Sequence, residues 1–92
     1  MFDNLSLHGT EATIVWGYRP AVVLKSWRIA KQNKGAWLLS AQIDRVDSFQ
    51  ARQKPLLFTA PRTGKNGLWA FPVKTLDVGP NSIRATLEPP VY

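Results

Sequence analysis

A chain of 92 residues allows one domain, 1–92, with a modest core, and the absence of cysteine removes disulfides, thiolate nucleophiles and cysteine metal sites together. Four Trp, four Phe and two Tyr supply enough large apolar side chains for a core without staples. Twelve Lys plus Arg against six Asp plus Glu leave a net charge of +6, which favours phosphate backbones or other anionic surfaces as partners.

Residues 1–10, MFDNLSLHGT, contain loosely alternating Phe2, Leu5 and Leu7 before a Gly9-Thr10 break, and read as an edge strand or a loose arm. They lack a basic region followed by a continuous apolar one, so no signal peptide is expected. Nor does any segment reach the roughly 18 to 20 apolar residues that span a bilayer. A cytoplasmic protein with no membrane association is the resulting expectation.

Ala12 to Tyr18, ATIVWGY, is rich in β-branched and aromatic residues and reads as a strand ending at Arg19-Pro20. Ala21 to Ala30, AVVLKSWRIA, reads as a second strand, although Pro20 would also suit the first turn of a helix with Val23, Trp27 and Ala30 in a stripe. The polar turn KQNKG at 31–35 joins it to Gly35 to Phe49, GAWLLSAQIDRVDSF, which holds the longest alternation in the chain. There Trp37, Leu39, Ala41 and Ile43 face one side, and Ser40, Gln42 and Asp44 the other. A helical spacing of Ala36, Leu39, Ile43 and Val46 competes with this, but no capping residue starts it.

Asp47 to Lys54 is a polar connection. Leu56 to Ala60 and Leu68 to Val73 are short apolar runs around the basic loop PRTGKNG at 61–67, and Pro72 marks an edge or a strand end. Leu76 and Val78, the turn Gly79-Pro80-Asn81, and then Ile83, Ala85 and Leu87 form a last hairpin. Five to six short strands with turns every ten residues or so predict an all-β fold, a small antiparallel barrel or sandwich of SH3-like or OB-like architecture.

No enzymatic constellation is present, and no cofactor is implied. His8 is the single histidine, too little for a metal site, and reads as a surface residue without a role. Asp44 and Asp47 would point to opposite faces of a strand, a poor geometry for a shared proton; they read as marking a strand end and a turn and pairing with Arg45 or Arg52. No serine sits in a Gly-x-Ser-x-Gly turn. The 62–67 loop fails as a nucleotide-phosphate loop, because Thr59 stands where its first glycine belongs and Asn66 where Ser or Thr must follow the lysine.

What remains is charge and aromatic content. Two spans hold no acid: Ala12 to Ile43, with Arg19, Lys25, Arg28, Lys31 and Lys34, and Ser48 to Leu76, with Arg52, Lys54, Arg62, Lys65 and Lys74. The sequence therefore points to a non-enzymatic nucleic-acid-binding barrel. Lys31, Lys34, Arg62 and Lys65 would lie on two loop tips converging at one end, flanked by Arg28 and Lys54. Trp27, between Lys25 and Arg28, and Trp69, after the basic loop, are the candidates for base stacking. The bland alternatives are lysines and arginines carried for solubility and tryptophans spent on the core. The rival function is a protein-interaction module, such as a small phage or mobile-element inhibitor or adaptor docking on a host protein or nucleoprotein surface.

Overall fold

The computed structural model describes residues 6–32, 35–62 and 67–90. Six antiparallel strands, β1 (Ser6–Trp16), β2 (Arg19–Lys31), β3 (Trp37–Val46), β4 (Leu57–Pro61), β5 (Leu68–Val78) and β6 (Ser82–Leu87), close into a barrel in the order β1-β2-β3-β6-β5-β4. A 3-10 turn at Gln50–Arg52 lies in the connection from β3 to β4. Among the described residues no helix is long and apolar enough to cross a membrane.

β3 follows its alternation. Trp37, Leu39 and Ala41 are buried, Ile43 is half-buried against the same core, and Leu38, Ser40, Gln42 and Asp44 are exposed. A strand needs no capping group, only partners on both edges, and β3 has β2 on one side and β6 on the other. The two partner strands present Leu24, Trp27 and Ile29, and Ile83, Ala85 and Leu87, to the same interior. Phe58 from β4 and Phe71 from β5, both fully buried, fill its centre at a ring separation of 6.1 Å.

Several boundaries differ from the sequence reading. Residues 6–10 are not a loose arm: β1 runs unbroken through Gly9 and Thr10, and His8 sits on it opposite Arg28. Gly9 is no break because its missing side chain makes room for the indole of Trp27 across the ladder. A Cβ built there would stand 3.0 Å from the ring. The turn from β1 to β2 is Gly17-Tyr18, not Arg19-Pro20, since Gly17 takes the left-handed position with φ of 66° and Trp16 pairs with Arg19. Likewise β5 continues through Pro72. That residue needs no ladder donor because it stands where pairing passes from β4, at Leu57, to β6, at Val73 and Leu87.

β1 and β2 also exchange faces part-way along. Inward residues are Leu7 and Gly9, then Ala12 and Ile14, in β1; in β2 they are Val22 and Leu24, then Trp27 and Ile29. The switch falls at one level, where Glu11, with φ of 60°, stands opposite Lys25, and the register of β2 against β3 shifts between Leu24 and Ser26. An extra residue in a ladder inverts the facing of everything beyond it. In β2 that residue is Lys25, with Glu11 as its counterpart in β1, and a second shift between Val23 and Leu24 makes Asp44 the extra residue of β3.

Gly9→Ala should therefore destabilise the protein by about 1–3 kcal/mol, as overpacking does, even though replacing a strand glycine ordinarily helps. The indole cannot retreat, because Phe58 lies edge-on to it at 5.2 Å. Urea unfolding followed by tryptophan fluorescence measures the effect, and an unchanged or raised midpoint would contradict the packing.

Candidate nucleic-acid interface

Strand direction decides which loops share an end. β2 runs toward the end where β3 begins, and β4 runs toward the end where β5 begins; with all neighbours antiparallel, both hairpins emerge at the same end of the barrel. Backbone bonds close the base of each. In the first, Gln32 N donates to Ala36 O at 2.7 Å and Gly35 N to Gln32 O at 3.0 Å; in the second, Arg62 N donates to Gly67 O at 3.3 Å.

The two hairpin bases are joined by rings. The Lys31 Nζ lies 5.5 Å from the centroid of the Trp37 ring, and the Arg62 guanidinium carbon 4.6 Å from that of Trp69. Between the two tryptophans stands Phe71, 5.3 Å from Trp37 and 5.9 Å from Trp69. The order across this end is thus lysine, tryptophan, phenylalanine, tryptophan, arginine. A cation over a ring gains about 0.5–1 kcal/mol when exposed and more when shielded from water, so exposed Lys31 is biased toward its ring and half-buried Arg62 more strongly so. Lys31 is exposed and Arg62 half-buried, with its Nε enclosed and without a hydrogen-bond partner among the described residues. A guanidinium laid on a ring keeps its outer face and its N–H edges for a base or a phosphate.

The structure thus brings Lys31, Arg62 and Trp69 together, supported by Trp37, which the sequence reading places on the apolar side of its strand, and by Phe71, which that reading does not single out. Lys34 and Lys65 lie outside the described residues. Glu88, just beyond β6, is an acid at the same end.

The other candidates lie elsewhere. Trp27 is not a stacking platform: it is 5 % exposed and belongs to the core, because the Lys25 bulge turns it inward despite its charged neighbours. Arg28 faces outward on the barrel wall, in a transverse row with His8, Ser40, Arg84 and Asp77. Lys54 sits at the opposite end, in the connection that brings the chain from the end of β3 to the start of β4, and flanks neither hairpin. Its neighbourhood there holds Arg52 and Lys74, which line the same groove.

The carboxylates are placed structurally. An Asp47 carboxylate oxygen accepts from Gln50 N at 2.9 Å and starts the 3-10 turn, while Asp44 is exposed on β3. Among the described residues no three His, Asp or Glu side chains gather at metal-binding distance. In comparisons with known proteins, no family model matches the chain, and neither a curated protein nor a solved structure matches it.

Proposed function

We propose that this protein is a non-enzymatic nucleic-acid-binding β-barrel that contacts its ligand with the end carrying the β2–β3 and β4–β5 hairpins. The observation that supports this reading is the row from Lys31 to Arg62, in which each acid-free span contributes a cation to one aromatic cluster. Cations fixed at a common end track a phosphate backbone. The guanidinium of Arg62, stacked on half-buried Trp69, offers a plane to an unpaired base, so single strands bind more tightly than duplex.

The test is a salt titration of binding to a fluorescent oligonucleotide, started near 50 mM salt, where phosphate contacts are strong. Lys31→Gln and Arg62→Gln should each lower the slope of log affinity against log salt by about one unit, at any base sequence. Arg62→Lys should keep the slope and lose affinity for single strands, since it keeps the charge and removes the plane. Lys54→Gln, at the other end, should leave the slope unchanged. Absence of binding at low salt, or an equal loss of slope in Lys54→Gln and Lys31→Gln, rejects the reading.

A further inference from the structure

The end of the barrel opposite the two hairpins is incompletely closed. β4 pairs with β5 only from Leu68 to Pro72, and Val73 N donates to Leu56 O at 2.9 Å. Beyond that bond, no strand among the described residues pairs with this edge of β5, while the other edge is held by β6 through Val78. Gly79 N donates to Ser82 O at 2.8 Å, which fixes the alternation: Asp77 and Thr75 share their hydrogen bonds with β6, so Leu76 and Val78 turn their N–H and C=O groups away from it. They face a groove of about 610 Å³ between β5 and the connection that carries the 3-10 turn.

The groove has a consistent chemistry. Val46, Leu76 and Val78 contribute aliphatic surface, Arg52, Lys54 and Lys74 contribute charge, and among the described residues neither an acid nor an aromatic ring lines it. From these features we infer that the groove is a docking site for an extended acidic peptide segment of a partner protein, which adds as a strand to the free edge of β5. Main-chain bonding to Leu76 and Val78 supplies register, alternate apolar side chains of the segment enter the aliphatic floor, and its carboxylates meet the three cations. The exposed edge from Lys74 to Val78 spans about 17 Å at strand rise, enough for about five or six residues of a partner.

Three features separate this occupant from its rivals. A nucleic acid would find charge here but, among the described residues, no ring on which to stack a base, and strand-edge amides spaced for another peptide. A second copy of this chain would bring the same cations against themselves. The bulge at Lys74 and its charge are also devices that keep an edge strand from pairing with its own kind.

The experiment uses the whole protein and two capped, fluorescent hexapeptides, one alternating Glu with Val and one alternating Lys with Val. The acidic peptide should bind at least about tenfold more tightly than the basic one, and Lys54→Glu with Lys74→Glu should weaken it by at least about tenfold. Val78→Pro removes one N–H that faces the groove without removing a bond to β6, and should weaken the acidic peptide by a similar factor. Should that variant fail to fold, hydrogen exchange on the unaltered protein decides: the Leu76 and Val78 amides must gain protection when the acidic peptide is added. Equal binding of the two peptides, or unchanged exchange at those amides, overturns the inference. So does displacement of the bound peptide by an oligonucleotide whose affinity falls in the Lys54→Glu, Lys74→Glu variant, because the groove would then be a nucleic-acid site. The hairpin end is tested by different variants, so either proposal can fail without the other.

Discussion

Phe71→Ala should unfold this protein or bring it close to unfolding. The ring is fully buried and touches Trp37, Phe58 and Trp69, so it joins the centre of the core to the row at the hairpin end. Removing a buried phenylalanine costs about 3–5 kcal/mol, through lost transfer energy and the cavity left behind, against a total stability of about 5–15 kcal/mol for a domain. At about 0.05–0.15 kcal/mol per residue, a loss of that size is a large fraction of the margin of a 92-residue chain. Phe49→Ala provides the contrast. Phe49 is 66 % exposed and makes one edge contact, with Trp16 at 6.2 Å, an interaction worth about 0.5–1.5 kcal/mol. Urea midpoints for both variants, read by circular dichroism and fluorescence, settle the comparison. A Phe71→Ala shift no larger than that of Phe49→Ala would mean that the aromatic cluster does not hold the barrel together.

How far such a cluster is legible in the sequence depends on whether local spacing or long-range pairing decides it. β3 was readable because its alternation is unbroken from Trp37 to Asp44 and both faces have one job each. The last hairpin was readable for the same reason, with Gly79-Pro80-Asn81 as its turn. β1 and β2 resisted because both invert at Glu11 and Lys25. An alternation continued from Leu24 would place Ser26 and Arg28 inside, and the shift by one residue is a property of two strands together. Gly9 misled in a related way. A glycine within a polar stretch looks like a break, and only the indole of Trp27 across the ladder explains why the strand continues.

The candidate site divides along the same line. Lys31 and Arg62 were marked by hairpin signals, which are local, and their shared end follows from an antiparallel closure. That Trp37 and Phe71 link them required the pairing of β4 with β1 and the insertion of β6 between β3 and β5. Lys54 was misplaced because the connection after β3 crosses to the start of β4 without returning to the hairpin end, and a polar run of residues carries no direction. The free edge of β5 was equally hidden, since it exists only because β4 is five residues long and β5 eleven.

Trp27 and Trp69 make the contrast testable, because the sequence offers both as base-stacking rings and the structure assigns them different work. Trp27→Ala should cost about 3–5 kcal/mol of stability, since it empties the space between Gly9 and Phe58. Trp27→Phe should cost less, as it keeps a ring against Phe58 and removes a buried Nε1 that has no hydrogen-bond partner among the described residues. Neither change should alter single-strand affinity beyond what the unfolded fraction explains. Trp69→Ala reverses the pattern. The ring is half-buried at the rim, so its removal costs less stability, but it takes away the support on which the Arg62 guanidinium lies. Stacking is worth about 1–3 kcal/mol per base, so affinity for single strands should fall by roughly 5- to 150-fold while duplex binding changes little. Binding measured on the folded fraction of each variant, at one salt concentration, distinguishes the roles. If Trp27→Phe weakens single-strand binding as strongly as Trp69→Ala, the ligand reaches the barrel near Gly9 and the hairpin end is not the contact surface.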